Sequence, residues 1–225
     1  MTLYDRFYST FIYEERYRYF LDGLKMTLLL TVASFILGCL VGIGFCALKK
    51  SRHTVLRKIA NVVTNFFVQL PTMVLLMVFV YIIFGSSGLS LILIVIFALT
   101  IKAGAFFSEI FFSAIETVNV GEIEAARTLG MSKRQAFFHV ILPQSVTAAM
   151  PVFKNQFIST LQETSVVGYL AVMDLTRASS IVTARTLDAL FGLIVVSIIY
   201  LVIGYVGQLL LSLLDKRTHI GGVKQ

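Results

Sequence analysis

The chain has 225 residues, of which 57% are hydrophobic and only 14% charged, and its mean hydropathy is +0.87. A soluble domain of this length cannot hide that much apolar surface, so the composition demands an integral membrane protein. The formal charge of +7 sits beside apolar stretches instead of forming one aromatic-interleaved basic face, which fits the positive-inside bias and excludes a nucleic-acid binder.

Residues 1–21 read as an interfacial N-terminal arm, because Tyr4, Phe7, Tyr8, Phe11, Tyr13, Tyr17, Tyr19 and Phe20 suit the headgroup level, where a ring can be half apolar and half wet. Asp5, Glu14, Glu15 and several arginines spoil a basic signal-peptide n-region, and no small-residue cleavage site follows the first apolar run, so no cleaved targeting segment is expected. The first span is Met26–Leu48, uninterrupted by charge and long enough to cross a hydrocarbon core of about 30 Å at about 1.5 Å per residue. Within it Cys39 and Cys46 stand two turns apart, too far for a disulfide. Gly38 and Gly42 form a GxxxG packing motif.

Four further spans follow. Ile59–Phe84 is interrupted by Asn61, Asn65, Gln69 and Pro71, and Leu89–Ile115 carries Lys102 and Glu109. Val140–Leu161 is the weakest, with two prolines and Lys154, whereas Leu187–Leu214 is strong. The expected fold class is therefore all-α and polytopic, with about five transmembrane helices in a single domain over residues 22–217 and a cytoplasmic tail at 218–225. Basic residues cluster after the first span (Lys49, Lys50, Arg52, Arg57, Lys58), after the third (Arg127, Lys133, Arg134) and after the fifth (Lys216, Arg217, Lys224), while the turn at 85–90 has none. That pattern puts the N-terminus outside and the loop at 117–139 in the cytoplasm, although the arm's own basic residues run against it.

This loop is the most informative segment. Asn119 with Glu122 and Ser132 with Gln135 have helix-capping spacing, and Gly130 stands between them as a helix stop, so the loop reads as helix, sharp turn, helix. Glu124, Ala125 and Ala126 open its first helix: the carboxylate offers a charge-assisted anchor, and two small residues let another surface approach the backbone.

At these residues the chain resembles the permease subunits of ATP-binding cassette importers, whose cytoplasmic EAA loop carries a glutamate, two alanines and a downstream glycine, here Glu124, Ala125, Ala126 and Gly130. The agreement continues through the LGMS segment, Pro143 and Gln144, Pro151 and Asn155, an order that looks like the polar amino acid branch. The resemblance implies a permease in the bacterial cell membrane that moves polar amino acids inward by alternating access. Its implied partners are a cytoplasmic ATPase dimer, a second permease subunit and an extracytoplasmic substrate-binding protein. No GxxxxGK[ST] phosphate loop occurs in the chain, so it is a transport subunit and not an enzyme. ATP and magnesium belong to the partner ATPase, and the three scattered histidines give no metal site.

Within the spans, polar residues normally face protein or a watery path. Glu109, in a segment like one that recurs in the family, reads as a structural anchor of the third span. Lys102 and Lys154 lie outside the family pattern and read most simply as partners of an internal carboxylate. Gln69, Pro71 and Thr72 form a proline-containing turn that is either a packing kink or a ligand-facing unwound segment. Glu163, Thr164 and Ser165 match a polar family position with Gln162 and Glu163 substituted, and serve as an outer gate, a helix-end cap or a substrate contact. Together these six are the substrate-pathway candidates. Phe112 stands where the family often has arginine, and Glu122 where glutamine is usual. The alternative from another class is a self-contained secondary carrier or channel, with Lys102 and Glu109 as coupling groups; a membrane scaffold without transport is a third.

Overall fold

The structure, a computed structural model, describes residues 2–218. The expected tail from 218 onward thus lies outside the described residues except at Thr218, and so does Lys224. Ten α-helices are defined among the described residues: α1 (Leu3–Phe7), α2 (Tyr17–Lys49), α3 (Thr54–Gln69), α4 (Thr72–Met77), α5 (Leu91–Glu116), α6 (Val120–Thr128), α7 (Lys133–Ala136), α8 (Leu142–Thr164), α9 (Leu175–Thr186) and α10 (Ala189–Thr218). Wider π-type turns prolong α4 over Val78–Ile83 and join α7 to α8 over Phe137–Ile141. No strand occurs among these residues.

Helical stretches at Tyr17–Lys49, Leu91–Glu116, Lys133–Leu170 and Ala189–Leu213 are long and apolar enough to cross a membrane. The pair Thr54–Gln69 and Thr72–Ile83, bent by 107° at its break, makes a fifth where the two halves are taken as one broken span. The break falls at Leu70 and Pro71, because proline has no N–H to give and disfavours helical backbone at the residue before it. The first span differs from its sequence reading at its start: helix begins at Tyr17, inside the expected arm, and runs on without interruption to Lys49. One whole element escaped the sequence reading, the short polar helix α9 between the fourth and fifth spans.

The chain forms two compact units, and α2, α5, α8 and α10 each contribute residues to both. The first unit comprises residues 1–36, 70–100 and 157–207. In it the arm is capped by Thr2, whose hydroxyl accepts the Asp5 N–H (3.2 Å) while Asp5 accepts the Thr2 N–H (2.8 Å). Its aromatic side chains Tyr4, Phe7, Tyr8, Tyr13 and Tyr17 are exposed, and positive φ at Glu14 and Glu15 turns the arm into α2. The basic residues that ran against the topology rule are all paired with acids: Arg6 with Asp188, Arg16 with Glu14, Arg18 with Glu15 and Lys25 with Asp22. Phe20 packs with Ala178, Val182 and Val196, tying α2, α9 and α10 together. Asp174 caps α9, accepting the Arg177 N–H at 2.7 Å. It is fully enclosed, and that burial pushes its carboxyl above the usual carboxylate range.

The second unit comprises residues 37–69, 101–156 and 208 onward. Small residues dominate its core, with Ala103, Ala105, Ala114, Ala126, Ala136 and Ala149 all buried, as is Phe107. Between lipid-facing helices the hydrophobic effect is weak, so close backbone approach and dispersion carry the packing. Gly38 and Gly42 of α2 lie against Ala103, Gly104 and Phe107 of α5, so that a Cβ at position 38 would stand 2.6 Å from the Ala103 Cβ. A Cβ at position 42 would collide with the Phe107 Cβ, whereas one at Gly44 meets nothing within 4 Å. Gly42→Ala is therefore expected to lower thermal stability of the detergent-solubilised protein by about 1–3 kcal/mol through overpacking. Gly44→Ala should be neutral or stabilising, since alanine is the better helix former. Equal melting temperatures for the two variants would show that the α2–α5 contact is not close.

Candidate functional site

The loop at 117–139 lies wholly in the second unit. Asn119 caps α6 by accepting the Gly121 N–H at 2.8 Å. Glu122 does not close a capping box with it; its carboxylate instead accepts a hydrogen bond from the Gln144 side-chain amide at the start of α8. Helix α6 ends in a Schellman motif: the Gly130 N–H bonds to the Arg127 carbonyl (3.1 Å) and the Met131 N–H to the Ala126 carbonyl (3.2 Å). That geometry requires positive φ at the residue between, and Gly130 has φ +87°. Arg127 returns to donate to the Met131 carbonyl at 2.8 Å, closing the turn from outside. The next helix starts with the capping box foreseen at Ser132 and Gln135, with the two bonds at 3.2 and 2.8 Å.

The result is a helix, turn and helix whose ends are capped and whose turn is closed by hydrogen bonds. Helix α6 begins at Val120, so Glu124, Ala125 and Ala126 occupy its middle and not its opening turn. Glu124 and Ala125 are exposed, as are Val120 and Leu129 (83%), whereas Ala126 is buried against its own chain. Helix α6 packs on α7 and on the Phe137–Ile141 turn, where Ala136 is also buried. The two alanines thus do different work: Ala126 lets α6 lie close to the segment that follows it, and Ala125 leaves room beside Glu124 for another molecule. A face with one carboxylate, one small residue and two exposed aliphatic side chains is suited to docking another protein.

The intramembrane charges divide. Glu109 accepts from the Lys49 ammonium and, at 3.4 Å, from the Thr64 hydroxyl, so it links α5 to both α2 and α3. Lys50 pairs with Glu116 and lies 5.0 Å from the centre of the Phe112 ring. Lys49 and Lys50 were legible only as cytoplasmic charge, and nothing local in the sequence marked them as partners of acids 60 and 66 residues away. Lys102 is buried in the second unit and Lys154 is half-buried there.

Of the substrate-pathway candidates, Gln69 is exposed at the end of α3 in the second unit. The other five belong to the first. Pro71 stands at the N-cap of α4 and Thr72 is its first residue. Thr164 is fully enclosed and its hydroxyl donates to the Leu161 carbonyl (2.7 Å), while that of Ser165 donates to the Gln162 carbonyl (2.7 Å). Both hydroxyls finish their own helix, and Glu163, immediately before them, is half-buried. Helix α4 packs against Val167–Leu170, the turn that follows them.

Comparison with known proteins places the chain in a family. The family model described as "Binding-protein-dependent transport system inner membrane component" matches residues 26–220. A probable amino-acid permease protein, YxeN, of Bacillus subtilis is 28% identical over 87% of this chain and 89% of its own length. The glutamate/aspartate import permease protein GltK of Escherichia coli O6:H1 is 30% identical over 89% of this chain and 93% of its own. The solved structure titled "Crystal structure of an amino acid ABC transporter with histidines" superposes with a TM-score of 0.81 at 31% identity, covering 89% of this chain and 94% of that one. The capped, hydrogen-bonded loop and the family match over nearly all the membrane-spanning helices lead to one conclusion: the chain belongs to the binding-protein-dependent transport system inner membrane components, the permease subunits of ATP-binding cassette importers.

Proposed function

We propose that this permease moves polar amino acids into the cell as one half of a permease dimer, driven by two cytoplasmic ATPase subunits and supplied by an extracytoplasmic binding protein. The observation that carries the reading is α6, a short helix fixed at both ends, with Glu124, Ala125 and Leu129 outward and Glu122 tied to Gln144. Such a helix transmits displacement without absorbing it. The ATPase face docks on Glu124 and Ala125. Closure of the ATPases on ATP and magnesium pushes α6, and the movement passes directly into α5 and α8, which flank the loop in the chain. The amino-acid assignment draws on the relatives named above, whose own names describe amino-acid transport. The basic clusters after the first, third and fifth spans support an outside N-terminus and a cytoplasmic loop.

Reconstitution with the ATPase and binding protein in liposomes, screened over amino acids, tests the function directly. Polar amino acids should stimulate ATP hydrolysis, whereas uptake driven by an ion gradient without ATP would favour the secondary-carrier reading. Orientation is read independently with single cysteines. Ser87→Cys should react with an impermeant thiol reagent added outside intact cells, and Ser132→Cys only once the membrane is opened. The opposite pattern would overturn the topology and remove the loop from the cytoplasm.

A further inference from the structure

Helix α3 carries a stripe that neither the coupling loop nor the substrate-pathway candidates explain. At about 100° per residue its side chains fall on three faces. Ala60 and Thr64 point at one angle and are its only buried residues. Val55, Ile59, Val62 and Phe66 recur at alternating intervals of four and three, all exposed, and form a face fit for lipid. Arg57, Lys58, Asn61, Asn65 and Gln69 fall within about 120° of one another on the third face, and they too are exposed.

A span presenting three amides and two cations along one side cannot turn that side to hydrocarbon, since polar groups at membrane depth face protein or a watery path. They do not face their own chain. From Arg57 to Gln69 the stripe runs about 18 Å along the helix axis, a length comparable with half of a hydrocarbon core of about 30 Å. It ends beside the helix break at Leu70 and Pro71, and non-helical backbone inside a membrane is tolerated where it borders water or protein. We infer that the Asn61–Asn65–Gln69 ladder lines the inner half of the solute path, with Arg57 and Lys58 at its cytoplasmic mouth. This rests on the permease reading above and extends it to residues between the membrane centre and the loop. Amides suit the task because each offers donors for a carboxylate and an acceptor for an ammonium without binding either so tightly as to hold it.

The test uses the assembled transporter in inside-out vesicles, with Cys39 and Cys46 replaced by alanine and single cysteines placed at Asn61, Asn65, Val62 or Phe66. The probe is a charged, membrane-impermeant methanethiosulfonate. Cysteines at 61 and 65 should react at least about tenfold faster than those at 62 and 66, because the thiolate is the reactive form and apolar surroundings keep a thiol protonated. Equal rates, or faster reaction at 62 and 66, would overturn the inference. Disulfide-linked permease pairs formed through position 61 or 65 without labelling would place the stripe in a subunit interface and overturn it as well. Labelling is read whether or not ATP drives uptake: normal ATP-driven uptake with the wrong pattern removes this inference alone, while failed uptake with the expected pattern removes only the importer reading.

Discussion

Gly130→Val is expected to abolish solute-stimulated ATP hydrolysis in the assembled transporter while the membrane spans still insert. Position 130 has φ +87° and sits between the two hydrogen bonds that end α6. Left-handed backbone costs an ordinary L-residue about 1–2 kcal/mol, and a β-branched side chain is worse because both γ-carbons crowd the backbone. Nothing lies within 4 Å of the site where a Cβ would stand, so the penalty is conformational and not a clash that neighbours can relieve. The turn would have to reopen, releasing the Met131 and Gly130 N–H groups and the Arg127 bond to the Met131 carbonyl, and α6 would lose its fixed angle. Glu124→Lys attacks the same step differently. Glu124 is exposed on the outward face, so reversing its charge leaves the fold and melting temperature unchanged but should prevent co-purification of the ATPase. Gly130→Ala should fall between, retaining partial coupling. Wild-type uptake by both Gly130→Val and Glu124→Lys would exclude this loop as the contact with the ATPase.

The spans and the loop were legible in the sequence for different reasons. Hydropathy suggested five spans, the first and last plainly because each is a long apolar run, the second and fourth less so because amides, prolines and a lysine interrupt them. The ends of the loop helices were legible because caps are local: Ser132 meets Gln135, and Gly130 closes a turn within a few residues. The helix α9 was missed because it is short and polar and is held by tertiary contacts; its Asp174 cap was the one available signal. Glu122 was misjudged as a local cap because Gln144 competes for its carboxylate from another helix. The amides of α3 were seen one at a time as interruptions, and only the knowledge of which side Ala60 and Thr64 bury turned them into a stripe. The pairing of Lys49 with Glu109 joins residues 60 apart, beyond what periodicity in a single sequence can reveal.

That pair should show an asymmetry that a surface ion pair would not. The Lys49 side chain is 2% exposed, while that of Glu109 is 38% exposed. Removing the acid in Glu109→Leu strands an ammonium inside the protein, with the centre of the Phe112 ring 6.0 Å away. Breaking a fully buried pair in this way costs about 3–5 kcal/mol, and the partial exposure of Glu109 puts the expected loss near about 3 kcal/mol. Lys49→Met leaves the carboxylate, which keeps its Thr64 contact and is partly exposed, so the loss should be about 1 kcal/mol. The double variant Lys49→Met/Glu109→Leu removes both charges and should recover most of the stability lost in Glu109→Leu. Lys50→Met is the control, since the Lys50–Glu116 pair has side chains 37% and 57% exposed and should contribute about 0–1 kcal/mol. Melting of the four detergent-solubilised variants decides the matter. If Glu109→Leu melts no lower than Lys50→Met, or if the double variant is the least stable of all, the Glu109 carboxylate is not what holds α2 and α3 to α5.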